Sequence, residues 1–578
     1  MSLHFATHHP ADGRALRYHF DEFMLEWVRG LVGWLSQDPR CEGVYRHIPR
    51  DAVVLYLEQL LGIELHLAGH EIFRAKFAIS QGREAEPVSV PSLLAGLVRE
   101  SLVGTTVRIV PSAHLARRRA VQRLRAGVRE LIARLKAPAT VAPSGQGVIA
   151  VELVEGADPD LKCDAFWLAA GSIDPARVLF VLEPQNRGLV DFGQNVAAIR
   201  KLGARLVSVD ALARGAGVPY WRPSSIPAWS AQLQAGVRDR GWLAQALRRL
   251  ARRVGYWEAF FREHNVLAVQ HFTEFSDETV AKRIAIDRLG GIELGKQRSQ
   301  FFERASAAFY FRHEAAFVWH RNAVPFLQSG DTRTRYAIET GYVYDHQIEA
   351  LRSQGDALRK RLVMRGAKAV LAVFDSQTHR NTHFSFNHLS GFYGAVIALA
   401  AARPELGLVI KSKKPGILAS LKAQAAALDA LIEAGRCIVI DQPLTSMLPA
   451  ALAAEVAVGF PASTAACEAA LAGCRVLMYD PSRSALHPWA AEGAEIMFDD
   501  IESFAAALAR ALDAAASGAR GMPHARLVEI DPFLDRRAAH RAAGFIDAFL
   551  SARIAGRDKS AALAAALERS GGGIVLER

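Results

Sequence analysis

Between Gly459 and Gly473 the chain reads GFPASTAACEAALAG. An apolar run stops at Phe460, and Ser463-Thr464 then open a stretch of small residues that suits a helix. Either hydroxyl can cap that helix. Free backbone N–H groups and hydroxyls would then converge at the positive end of a helix dipole, a setting for a diphosphate or phosphodiester. Glu468 lies one turn further on the face of Thr464, where a carboxylate could accept ribose hydroxyls. The same residues also fit an ordinary capped βα unit with Glu468 in a surface salt bridge. Lys411 and Lys413 end a second apolar run (GLVIKSKK), so at least one ammonium is expected at a strand end, able to neutralise a departing phosphate. A solvated basic loop is the alternative. Phe374–His388 (FDSQTHRNTHFSFNH) offers Asp375, Arg380 and His383 for substrate or phosphate contact. On a helix, the spacing of His379, His383 and His388 would put the first two on one metal-binding face. The Asn, Thr and Ser between them favour a loop, and no metal is assigned.

Other chemistries lack their signatures. There is no GxxxxGK[ST] phosphate loop, no GxSxG and no HExxH, and Gly215-Ala-Gly217 lacks the third glycine of a dinucleotide fingerprint. Asp158-Pro-Asp160 is a DxD triplet that chance alone supplies in a chain of this length.

The positioning elements follow from hydrophobic patterning. Residues 14–140 read as mostly helical, and Pro138–Gly147 (PATVAPSGQG) as a boundary. Short β-branched runs at Val148–Val154, Val178–Leu182, Arg205–Val209, Asn265–Gln270 and Ala315–Trp319 alternate with helical stretches, as in an open sheet whose last strand is Ala315–Trp319. Asp331–His346 reads as a crossing between domains. Strands at Ala369–Phe374, Gly407–Ile410, Cys437–Ile440, Val456–Phe460 and Arg475–Tyr479 then alternate with helices, the pattern of a doubly wound parallel sheet. The expected class is α/β, with two Rossmann-like domains and an N-terminal helical domain. The divisions fall at 1–145 (helical), 146–335 (first Rossmann-like, acceptor side), 336–535 (second, nucleotide donor) and 536–578 (helices packing back).

Composition agrees with a packed protein of about three domains: 578 residues, 51% hydrophobic and 22% charged. Seventy Lys and Arg against 59 Asp and Glu give a formal charge of +11, which favours anionic partners. The Arg-rich runs Arg117–Arg125 and Arg248–Arg253 read as solvated helix faces. Five scattered cysteines without a CxxC exclude a disulfide framework or zinc module and suit a reducing cytoplasm. Met1–Pro10 has no apolar signal region. The most apolar stretches, Ala395–Ile410 and Ser446–Tyr479, are interrupted by charge and proline, so no membrane-spanning helix is expected. Nucleic-acid binding lacks an aromatic-interleaved basic strand or a recognition helix.

The arrangement strand–[ST]-[ST]-x-x-x-E-A–x-x-[AG]-G–strand resembles the donor half of GT-B glycosyltransferases. Gly391–Lys414 is similar to the "helix, PE, strand, IK-x-K" block of bacterial surface-polysaccharide transferases, including capsular Kdo transferases and the CDP-glycerol polymerases of teichoic acid synthesis. The resemblance spans roughly 147–515. It implies donor contacts at Lys411, Lys413, Ser463, Thr464 and Glu468, base contacts at Asp441 and Gln442, and a general base in the first domain. His271 and Glu274 (HFTEF), then Glu183 and Asp191 flanking PQNRGLV, are the candidates. It also implies metal-independent transfer without a cofactor, from a nucleotide-sugar, CMP-type by charge, onto a glycan, lipid-linked or protein acceptor. The location would be cytoplasmic, with contact to anionic membrane at its inner face and no nucleic-acid partner. Inversion and retention both stay open. A non-catalytic scaffold of a polysaccharide assembly complex and a UDP-sugar 2-epimerase are the alternative readings.

Overall fold

The computed structural model describes residues 4–102, 107–112, 147–184, 192–209, 218–237, 241–271, 276–300, 313–329, 334–379, 381–442, 446–491 and 495–576. The N-terminal part holds the helices Leu16–Leu35, Arg50–Ser80 and Ser92–Ser101. It is not wholly helical. Strands β1 (Val88–Pro91) and β2 (Ile109–Ser112) form a parallel pair that the helical pattern concealed.

Two larger sheets carry the rest. The first contains β3 (Val148–Glu152), β4 (Val178–Leu182), β5 (Arg205–Ser208), β6 (Val266–Gln270), β7 (Ile292–Lys296), β8 (Ala315–Val318) and β9 (Tyr336–Glu339), all parallel. The second contains β10 (Ala369–Phe374), β11 (Leu406–Lys411), β12 (Cys437–Ile440), β13 (Val456–Gly459), β14 (Arg475–Tyr479) and β15 (Met497–Phe498), also parallel. A terminal strand β16 (Ile574–Val575) returns to pair antiparallel with β9, giving orders β16-β9-β8-β7-β6-β3-β4-β5 and β12-β11-β10-β13-β14-β15. Every residue of β3, β4, β10, β11 and β13 is buried. Both faces of these sheets are therefore covered, and continuous apolar runs mark their strands.

Two expectations are corrected here. Ala315–Val318 is not the last strand of its sheet, because β9 continues it from within the supposed crossing at 331–346. β7 escaped the hydrophobic pattern because IELGK carries two charges and a glycine, and yet all five residues are buried. Glu293 accepts a bond from His313, and Lys296 donates to Glu155 Oε2 and Cys163 O, both at 2.9 Å. Gly295 is required where it stands. A Cβ there would lie 2.0 Å from the His313 ring.

One core joins the N-terminal helices to one face of the first sheet, through Phe20, Tyr56 and Leu60 with Val148, Leu179 and Phe260. Tyr56 donates to Asp277 Oδ2 (2.9 Å) and Trp242 to Glu64 Oε2 (2.8 Å) across that junction. A second core runs over the other face and into the second sheet, and it takes in the helices Ala538–Ile554 and Lys559–Arg569. Phe545 packs edge-on against Phe317 at 5.7 Å. The expectation of no membrane-length helix also needs correction. Arg50–Ser80 is long and apolar enough to cross a membrane by length and composition, but 67% of its apolar window is buried inside the protein.

In each sheet the chain starts near the middle, builds outward one way, then returns to build the other. The reversal falls between β3 and β6 in the first sheet and between β10 and β13 in the second. Open parallel sheets bind ligands beyond the carboxyl ends of strands at this reversal.

Candidate functional site

The reversal point of the second sheet is flanked by Asp375 after β10 and by Phe460–Ser463 after β13. Asp375 is buried and accepts from the Tyr393 hydroxyl (2.7 Å) and the Lys413 backbone N–H (2.5 Å). Burial raises its pKa, against the pull of those donors and of Lys411. Asp375 therefore shapes the turn after β11 and is not open for substrate. Lys411 is buried, and its ammonium turns back to the Ser412 carbonyl at 2.9 Å. Desolvation lowers its pKa. Lys413 is exposed, and burial of its surroundings together with the charges of Lys162 and Arg298 lowers its pKa.

Ser463 occupies the N-cap position of the helix Thr464–Leu471 with extended backbone, yet its side chain makes no capping bond. Its Oγ is buried and without a partner among the described residues. A buried hydroxyl left unpaired beside the free N–H groups of a helix start is poised for an acceptor from outside the chain. Gly459 permits this, since a Cβ there would lie 3.0 Å from Ser463 Oγ. Thr464 is spent on the first sheet's side, its Oγ1 accepting from the Gln300 N–H at 3.1 Å. Gln300 also reaches His487 at 2.7 Å.

Glu468 departs from both readings of the sequence. It is neither open to a ribose nor in a surface pair, being 1% exposed and bonded to Lys162 Nζ at 3.1 Å. Tyr342 lies close by, and the Glu468 charge adds to burial in raising its pKa. Lys162 and Tyr342 follow β3 and β9, so the contact bridges the two sheets. Lys162 and Lys413 thus meet at Glu468, one turn into the helix whose start is uncapped, with Arg298 near Lys413. Below them Lys296, Glu155 and Tyr344 form a buried floor, Lys296 Nζ donating to Tyr344 at 2.7 Å. Against burial, Lys296 and Lys162 hold Glu155 below the ordinary carboxylate range. The pattern after β3 and β7 concealed these residues, because Lys162 stands in an irregular loop and Lys296 ends a strand that did not read as one.

The first sheet's reversal point holds a second charged group. His271, after β6, lies 3.8 Å from Glu152 Oε2 and 3.9 Å from Glu293 Oε1, and all three side chains are at most 2% exposed. Burial lowers the His271 pKa more than the two carboxylates raise it, so the imidazole is neutral at pH 7. Glu183 pairs with Lys282 in the same interior. Burial pushes Glu183 up to about 7 in spite of that ammonium. Glu183 is thus committed to Lys282 and does not stand free to act as a base.

The remaining candidates are dispersed. Asp441 and Gln442 are exposed at the end of β12. His383 is buried and packs on Phe384, His379 is exposed, and His388 forms a capping box with Ser385 at the start of the helix Phe386–Ala402. These three histidines do not converge. Asp158 accepts the Asp160 N–H at 3.1 Å, closing a turn. Glu274, Asp191, Arg380, Gly215–Gly217 and the Arg117–Arg125 run lie outside the described residues.

The strand-end loops of two Rossmann-like sheets meet, and the second sheet ends in an anion-seeking helix start. Comparison with known proteins adds a match over part of the chain. Residues 296–506 match the family described as polysaccharide biosynthesis PFTS motif protein. That span includes β8 to β15 with Lys411, Lys413, Ser463 and Glu468. No curated protein matches the chain. Among solved structures, UDP-GlcNAc 2-epimerase from Neisseria meningitidis bound to UDP-GlcNAc is 10% identical, covering 68% of this chain and 98% of its own (TM-score 0.42). The wall teichoic acid polymerase TagF is 10% identical over 76% and 97% (TM-score 0.40). The α,α-trehalose 6-phosphate synthase from Burkholderia multivorans is 13% identical over 74% and 98% (TM-score 0.38).

Proposed function

We propose that the protein is a glycosyltransferase of polysaccharide biosynthesis, moving a sugar from a nucleotide donor onto a surface glycan or glycoconjugate. The observation that carries the proposal is the unpaired Ser463 Oγ at the open start of the helix Thr464–Leu471, with Lys162 and Lys413 at Glu468 one turn further on and Arg298 near Lys413. The donor diphosphate or phosphodiester takes that hydroxyl and the free N–H groups, and the cations offset the charge that builds on the leaving phosphate. The positive lining suits a donor with a charged sugar, CMP-type included. On the acceptor side the neutral His271, with Glu152 beside it, is the base best matched to a sugar hydroxyl at pH 7. This mechanism uses no metal or cofactor. The protein works in the cytoplasm, at the inner membrane face where acceptors are lipid-linked.

A UDP-sugar 2-epimerase is the second reading. One observation favours it: Glu152, Glu183, Glu293, His271 and His313 cluster at the first sheet's reversal point. An epimerase converts a nucleotide-sugar with no acceptor present, whereas a transferase releases nucleotide only when acceptor is supplied.

The test is a thermal-shift panel of CMP, CDP, UDP, GDP and ADP on wild type, Lys162→Ala and Ser463→Ala. A ligand at 100 times its Kd adds about 2.7 kcal/mol of apparent stability. Stabilisation by one nucleotide, lost in both variants, is expected. No shift with any nucleotide would favour a non-catalytic scaffold.

A further inference from the structure

The N-terminal segment holds a feature that the transfer chemistry does not use. Residues His9 to Arg14 form a tight turn, closed by His9 N–H to Arg14 O (2.7 Å) and Gly13 N–H to His9 O (2.9 Å). Gly13 adopts φ +69°, which a residue with a Cβ enters only with strain. The turn brings His9 and Asp12 against His19, on the first turns of the helix Leu16–Leu35. One ligating atom from each of His9, Asp12 and His19 lies within 4.8 Å of the others. His19 Nε2 stands 3.1 Å from Asp12 Oδ1, and the two imidazole rings are 4.2 Å apart. The Ala11 N–H donates to His9 Nδ1 at 3.2 Å, a long bond that an ion displaces, either by taking the Nδ1 lone pair itself or by shifting the ring proton to Nδ1 so that Nε2 ligates. Phe77 and Tyr18 wall the rings at 5.6 Å, Arg14 lies 4.0 Å from Asp12, and the Arg483 guanidinium stands beside Gly13.

We infer that His9, Asp12 and His19 form a binding site for a divalent transition-metal ion. Two imidazole nitrogens and one carboxylate oxygen suit zinc, cobalt or nickel; magnesium and calcium prefer an all-oxygen shell. Water completes the coordination. The role is a clip. The same segment lies against the second sheet, with His8 Nε2 bonded to the Pro481 carbonyl (2.8 Å) and the Ala15 N–H to the Ser482 carbonyl (2.9 Å). Arg17 and Arg74 both bind Asn381, at 2.7 and 2.6 Å. Pro481-Ser482 follow β14, and Asn381 belongs to the loop after β10. An ion at the turn therefore fastens the N-terminal helices across the strand-end loops that border the candidate donor site. None of the three ligands belongs to that site, so the inference stands apart from the proposed function.

The test uses the full chain without a histidine tag, stripped with a chelator and titrated with Zn2+ by calorimetry and with Co2+ by visible absorption. One equivalent is expected, with cobalt bands of low-symmetry nitrogen and oxygen coordination. His9→Ala and His19→Ala should each abolish it, and His379→Ala should leave it intact. Amide exchange over residues 4–15 should slow with zinc in wild type and not in the two variants. Absence of binding, or one equivalent that survives both His9→Ala and His19→Ala, overturns the site. Binding without slower exchange keeps the site and overturns the clip.

Discussion

The bridge between Lys162 and Glu468 gives the sharpest test of how the two sheets are held. The Glu468 side chain is 1% exposed and that of Lys162 is 35% exposed. Removing one member of a fully buried pair costs about 3–5 kcal/mol, because the other charge is stranded. Lys162 is open to water over a third of its surface, and solvent screening reduces the effect to about 1–2 kcal/mol. Lys162→Met should therefore destabilise by that amount, and Glu468→Gln by less, because the Lys162 ammonium it strands is open to water while Lys162→Met strands a buried carboxylate. The double variant should lose less than the sum, with a coupling of about 1 kcal/mol. Calorimetric and urea unfolding of the four proteins measures the cycle. Nucleotide titration of the same proteins reads the site. If Glu468 competes with phosphate for the three cations, Glu468→Gln tightens nucleotide binding while Lys162→Met weakens it. Additive stabilities, together with unchanged binding in both variants, would refute the view that this contact joins the sheets over the donor site.

Further outcomes follow from single positions. Gly459→Ala should weaken nucleotide binding with little loss of stability, since the new methyl meets Ser463 Oγ at 3.0 Å and displaces it; binding assays and thermal melts separate the two. Gly295→Ala should destabilise by about 2–3 kcal/mol or prevent folding, because the His313 ring lies 2.0 Å from the added Cβ and is bonded to Glu293; urea unfolding measures it. The activity profile should keep its rate down to below pH 6.5 on the acid side, because the His271 pKa is lowered from 6.5 by burial, and His271→Gln should remove that limb. Glu183 has the opposite linkage. Its folded pKa of about 7 stands above the ordinary 4.5, so the unfolded chain releases its proton first and stability falls as pH rises from 4.5 to 7. Glu183→Gln should flatten that slope in melts recorded across this range.

Much of the architecture was legible because the information is local. Runs such as VLFVL and AVLAVF are apolar on both faces, and only a strand covered on both sides tolerates that. Strands 178–182, 369–374, 437–440 and 475–479 stand where the runs put them. The helix start at Ser463-Thr464 was legible for the same reason: cap residues and small helix formers are neighbours in the chain. β7 was not. Glu293 and Lys296 look like surface residues until His313, 20 positions on, and Glu155, 141 positions back, come to meet them.

Which residues surround the site was decided by tertiary structure alone. Spacing puts Glu468 on the face of Thr464, but nothing near it in the chain announces Lys162, 306 residues away, as its partner. The same holds for His271, whose neutrality at pH 7 comes from complete burial and from the Lys282 ammonium, against the pull of carboxylates on β3 and β7. Charge pairs depend on which strand ends become neighbours, and that is set by the order in which the sheets are wound. Periodicity within one element determines where strands and helices form; it carries no record of which element will lie beside them.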